Sequence, residues 1–106
     1  MYTFEINITK TPYPQDEAGA WPQEYQVYTN RGKEFLFFFY KSAVDDNLWY
    51  FHLPEKGNGG ELYFTCEHMP VEHILKLAQA LILIRYGIID FDVQLTQEAK
   101  RVLKVK

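Results

Sequence analysis

The segment from Phe35 to Tyr40 is apolar at every position, in the order Phe-Leu-Phe-Phe-Phe-Tyr. Successive side chains of a β-strand point to opposite faces of a sheet, so the odd-numbered phenylalanines are predicted to face one way and Leu36, Phe38 and Tyr40 the other. A strand with one face in water carries polar residues at alternate positions. This segment therefore predicts an inner strand with both of its faces covered.

Alternating apolar and polar side chains on either side of this segment predict four more strands. Turn-forming residues, such as the Gly57–Gly60 run, separate them at regular intervals, which favours an antiparallel meander. The five strands are predicted over 2–9, 25–30, about 33–41, 48–53 and 61–67. Residues 10–24 lie between the first two strands as a long loop rich in proline, a length typical of functional or mobile loops.

After Pro70 the apolar residues no longer recur at every second position, as in a strand, but at the spacing of a helix. Gly87 suits the end of that helix. A long, largely buried helix is predicted over about 70–86, followed by a one-sided strand over 88–95. Thr96 suits the N-cap of a short C-terminal helix over 97–104, with a strand over 101–105 as the alternative. The predicted class is α+β, a single domain (1–106) with an antiparallel sheet of five to six strands packed on one long helix.

Charge and composition restrict the function classes. The chain has a net charge of −3, and its last seven residues carry four basic side chains without an acidic one, which leaves 7 basic and 14 acidic residues in 1–99. A mostly acidic body disfavours nucleic-acid binding, which needs phosphate neutralisation. The sequence shows no signal peptide or membrane span, and one cysteine precludes an intrachain disulfide, so a cytoplasmic location is predicted.

The segment from Cys66 to His73 offers a thiolate, two imidazoles and carboxylates as potential metal ligands, with Glu67, His68 and Glu72 between its ends. Their spacing is poor for zinc, since Pro70 fixes the link and His73 lies a turn into the helix. Cys66 is predicted on the core face, where thiols are inert. The sequence therefore predicts no metal, no other cofactor and no catalytic residue, and it leans away from an enzyme.

One face of the predicted sheet collects aromatic rings with polar tips. Several such rings exposed together would exceed the roughly 300–600 Å² of the largest apolar patch on an ordinary monomer. Three interpretations remain open: the 10–24 loop and the C-terminal helix cover this face, a partner protein covers it, or it lines a small-molecule pocket. The candidate partner-binding residues are Tyr28, Leu36, Phe38, Tyr40, Tyr50, His52 and Tyr63, together with Trp21 in the loop.

The favoured function is a non-catalytic protein-binding module, because interface cores are rich in tyrosine and poor in lysine. Its partner is predicted to be a second copy, as a homodimer, or another protein for which this chain is a small accessory or inhibitor subunit. The first alternative is an enzymatic or ligand-binding cup lined by the same tyrosines and His52. The second is single-stranded nucleic-acid binding by base stacking, which the acidic body disfavours.

Overall fold

The computed structural model describes residues 2–11, 24–54 and 60–104. The Gly57–Gly60 turn and the proline-rich loop, including Trp21, lie wholly or mostly outside these ranges. Two helices and six strands form the described fold. In chain order they are β1 (Tyr2–Thr11), β2 (Glu24–Thr29), β3 (Phe35–Lys41), β4 (Leu48–His52), β5 (Glu61–Thr65), α1 (Val71–Tyr86), β6 (Phe91–Leu95) and α2 (Gln97–Leu103).

The six strands form one sheet in the order β5-β4-β3-β2-β1-β6. The first five are a meander in which each strand pairs antiparallel with the next. The predicted α+β class is confirmed, with one difference: β6 pairs parallel to β1, so the sheet is mixed. The difference arises because α1 carries the chain from one edge of the sheet to the other, where β6 enters in the direction of β1.

The core lies on one side of this sheet. The rings of Phe37, Phe39 and Phe51 are fully buried there, and Phe39 stacks on Phe51 with centroids 5.0 Å apart. Phe64 on β5 packs against His73 near the start of α1, at 4.2 Å between centroids. Four side chains of α1 belong to this core, namely Ile74, Ala78, Leu81 and Ile82, and α2 buries Ala99 and Leu103 where it packs along β1.

The ends of both helices follow from local chemistry. Gly87 ends α1 with φ of 67°, a left-handed conformation that glycine adopts without strain. Thr96 caps α2 by accepting a hydrogen bond from the backbone N–H of Ala99 at 3.0 Å, as predicted. The helix continues to Leu103, so the alternative of a strand over 101–105 is wrong for the residues that are described.

A bulge in β3 changes the predicted position of Leu36. Val27 pairs with Phe37 but the next residue, Tyr28, pairs with Phe35, so Leu36 is an extra residue in the ladder. Such a bulge breaks the alternation of side chains. Leu36 is consequently fully buried in the core beside Phe37, and Phe35 is 37% exposed. The prediction that Leu36 lies on the partner-binding face is therefore wrong, as is the prediction that Phe35 shares a face with Phe37 and Phe39.

The long helix is less buried than predicted. Four of its 16 residues are fully or almost fully buried, whereas Ile84 is 72% exposed and Leu83 is 41% exposed. Within the described ranges no second layer covers the far face of this helix. Its last turn is instead fixed by polar contacts: Arg85 donates to Glu34 at 3.2 Å and to the carbonyl of Phe35 at 2.7 Å, and Tyr86 donates to Glu34.

The bulge generates a stability prediction. We expect Leu36→Ala to lower the free energy of unfolding by about 2–5 kcal/mol, because it leaves a cavity in the core. The control, Ile84→Ala on the open face of α1, is expected to cost about 0.5 kcal/mol or less. Urea denaturation followed by circular dichroism measures both. Equal small losses in the two variants would show that the Leu36 side chain points away from the core.

Candidate functional site

Five aromatic side chains make a continuous set of ring contacts on the side of the sheet opposite the core. His52 stacks on Phe38 at 4.7 Å and on Tyr40 at 5.4 Å between centroids. Tyr50 stacks on Tyr40 at 5.3 Å and meets Tyr63 edge to face at 5.1 Å. We call this set of residues on β3, β4 and β5 the aromatic face. It brings together Phe38, Tyr40, Tyr50, His52 and Tyr63.

Strand register explains why these five residues meet. Phe38 pairs with His52, Tyr40 with Tyr50, and Tyr50 in turn with Tyr63. Residues that pair across a ladder have side chains on the same face, at a distance where rings make contact. Phe37, Phe39 and Phe51, which alternate with them along β3 and β4, are buried in the core. The alternation in the sequence was therefore sufficient to predict this part of the site.

The remaining predicted site residues do not join the aromatic face. Tyr28 lies on the same side of the sheet, but its hydroxyl is hydrogen-bonded to Thr9 on β1. Leu36 is in the core, as described above. Trp21 lies outside the described residues. The candidate site thus consists of five of the eight predicted residues, with Tyr28 on the same side of the sheet towards β1.

The aromatic face also has an acidic edge. Glu61 pairs with His52 across β4 and β5 and is exposed. It raises the pKa of Tyr63 above its ordinary value of 10.0, first through its negative charge and further by accepting a hydrogen bond from the hydroxyl. Burial raises the pKa of Tyr40, and the charge of Glu61 adds to this. The hydroxyls of Tyr40 and Tyr63 are thus protonated hydrogen-bond donors at neutral pH.

The rings cover part of one another, so the exposed apolar area of the face is smaller than its composition suggests. Tyr63 is 59% exposed, whereas the other four rings are half-buried. The hydroxyl of Tyr40 lies 3.3 Å from Nε2 of His52, which keeps both polar groups at the surface. The arrangement offers flat ring surfaces, hydroxyl and imidazole hydrogen-bonding groups, and one carboxylate. These groups suit recognition by stacking, by hydrogen bonds and by cation–π contact.

Two of the potential metal ligands near α1, Cys66 and His73, pack against neighbouring side chains. Trp49 donates its indole N–H to the carbonyl of Cys66 at 3.2 Å, and the His73 ring packs on Phe64. Cys66 is half-buried with a free thiol, and His68 is exposed. Within the ranges that the structure describes, no three histidine, cysteine or acidic side chains are grouped so as to hold a metal ion. No described helix is long and apolar enough to cross a membrane.

The sequence did not predict a second exposed surface at the end of α1. It consists of aliphatic and tyrosine side chains, and we call it the apolar corner. Beside it, a concavity of about 630 Å³ is lined in part by Tyr2, Phe4 and Tyr86. The signal that was available in the sequence is the unbroken apolar run at the end of the helix, which is too wide for one buried stripe. The apolar corner comprises Tyr2, Leu83, Ile84, Tyr86 and Ile89.

Comparison of the chain with protein-family models, with curated proteins and with solved structures found no match. Functional inference therefore depends on the geometry of the molecule itself. The two surfaces to consider are the aromatic face, which combines rings with polar groups and a carboxylate, and the apolar corner, which is mainly aliphatic.

The acidic edge generates a pH prediction. We expect Glu61→Gln to lower the pKa of Tyr63 towards 10, because a nearby negative charge opposes formation of the tyrosinate anion. The pKa of Tyr40 should fall less, since burial is the larger cause of its shift. Carbon-13 NMR of labelled tyrosine rings, titrated through alkaline pH, measures each pKa. The control Glu72→Gln removes an exposed carboxylate on α1, and an equal effect from it would rule out a local interaction.

Proposed function

We propose that this protein is a non-catalytic binding module that docks another protein on the aromatic face, as a small accessory or inhibitory subunit. The observation that carries the proposal is the continuous set of five rings on the side of the sheet opposite the core. Tyrosine is enriched where protein interfaces are strongest, since it supplies contact area and a hydrogen bond at a small cost in conformational entropy.

The positions of the two helices support this role. The ring contacts of α1, between His73 and Phe64 and between Tyr86 and Phe4, are on the core side of the sheet. The polar contacts of α2 are with Asn7 on β1, which is two strands away from β3. Neither helix contributes a ring or a hydrogen bond to the aromatic face among the contacts of the described residues. This supports docking of a partner on the aromatic face.

The composition of the aromatic face favours binding over catalysis. His52 contacts Phe38 and Tyr40, and its polar contact is with a hydroxyl that is itself protonated at neutral pH. Tyr40 and Tyr63 both have raised pKa values, which makes them poorer sources of a tyrosinate nucleophile or base. The groups are suited to holding a surface in place.

The proposal predicts the behaviour of a Tyr40→Ser, Tyr50→Ser double variant. We expect it to lose about 2 kcal/mol or less of unfolding free energy, because it removes stacked but solvent-contacting rings. Phe39→Ala, on the core side, is expected to lose about 3–5 kcal/mol. Urea denaturation compares them. A collapse of the double variant would show that other parts of the chain close over these rings and that they belong to a second core.

Partner capture completes the test. Wild-type protein, the double variant and Tyr2→Ser are each used as bait in extract of the native host, with crosslinking and mass spectrometry to place the contacts. We expect crosslinks near the aromatic face, lost in the double variant and kept in Tyr2→Ser, which alters the apolar corner. The reverse pattern would assign docking to the corner and refute the proposal. Light scattering at several concentrations shows whether the captured partner is a second copy.

A further inference from the structure

The chemistry of the partner can be inferred from the charge around the aromatic face, and this inference rests on the proposed function. The outward positions of β2, β3, β4 and β5 that the structure describes carry aromatic, aliphatic, amide, hydroxyl and carboxylate groups. None of those positions is a lysine or an arginine. The carboxylates among these positions are Glu24 on β2 and Glu61 on β5.

Glu61 is the charged group in the best position to contact a partner. It is exposed at the edge of the face, and its described contact is with the hydroxyl of Tyr63. The ion pairs seen in the described ranges join Lys41 to Asp46, Lys76 to Glu72 and Arg85 to Glu34, so they leave the charge of Glu61 without a basic partner. A carboxylate in this position is available to a cation from another molecule.

The rings beside Glu61 provide a second attraction for the same kind of group. An arginine guanidinium stacks on an aromatic face while its N–H groups bind a carboxylate, which combines cation–π and charge-assisted hydrogen bonds. Tyr63 is 59% exposed and next to Glu61 on β5, so both interactions are available within one strand. Arginine is also among the residues most enriched in interface hot spots.

We propose that the aromatic face binds a cationic surface or segment of a different protein, and that arginine side chains stack on Tyr63 and pair with Glu61. The net charge of −3 agrees with this, and residues 1–99, with 14 acidic and 7 basic side chains, attract a basic partner at long range. Face-to-face docking of two copies would bring together two surfaces whose outward strand positions carry carboxylates and no lysine or arginine, which disfavours a symmetric dimer.

The test is an NMR titration of the isotope-labelled full chain with three capped probe peptides: hexa-arginine, hexa-lysine and hexa-glutamate. We expect hexa-arginine to shift the backbone amides of 38–40, 50–52 and 61–63, hexa-lysine to bind the same region more weakly, and hexa-glutamate to cause no shifts there. Glu61→Gln and Tyr63→Ser should each weaken hexa-arginine binding by about fivefold, as expected for loss of one exposed charge or ring contact of this kind.

The matched controls are Glu72→Gln and Tyr2→Ser, which remove an exposed carboxylate and an exposed ring elsewhere, and both should leave the affinity within about twofold of wild type. The proposal is overturned if Glu72→Gln weakens binding as much as Glu61→Gln, or if the shifts spread evenly over all acidic surfaces. Sedimentation that shows self-association, abolished by Arg101→Glu in the basic α2, would also overturn it, since the cation would then come from a second copy.

The outcomes separate this inference from the proposed function. If crosslinked capture of the native partner is lost with Tyr40→Ser, Tyr50→Ser but unchanged with Glu61→Gln, the face is a docking surface and its partner is not cationic. If capture survives both sets of changes, the proposed function itself fails, whatever the peptides do.

Discussion

The fold depends on which side of β3 and β4 packs against α1. β3 and β4 are aromatic on both sides, so hydrophobicity alone specifies their register weakly, and a slip of one residue would exchange inside and outside. The hydroxyl groups resolve this ambiguity. Phe37, Phe39 and Phe51 can be buried without a hydrogen-bond partner, whereas burying Tyr40 or Tyr50 would leave a polar group to satisfy.

Much of the architecture was predictable because it follows from local patterns. Alternation gave the six strands to within a few residues, the change of period at Pro70 gave α1, and Thr96 gave the start of α2. The common sheet face of Phe38, Tyr40, Tyr50, His52 and Tyr63 was also predictable, since strand pairing follows from the short turns of a meander.

The errors have a common physical origin in contacts between distant parts of the chain. The bulge at Leu36 depends on how β2 and β3 meet, and a single strand's sequence does not reveal an extra residue. The parallel pairing of β6 depends on the path of α1 across the sheet. Ile84 is exposed because no second layer of described residues lies over α1, although the apolar side chain of Ile84 suggested burial.

The sheet order also separates the charges of the molecule. The aromatic face and Glu61 are on the β3–β5 side, while α2, with Lys100, Arg101 and Lys104, packs along β1. β1 and β5 are four strands apart, about 19 Å at the usual strand spacing, which exceeds the screening length of about 8 Å at physiological ionic strength. The basic helix therefore does little to neutralise Glu61. An approaching basic protein would be repelled at the α2 end and attracted at the β5 end, which orients it towards the rings.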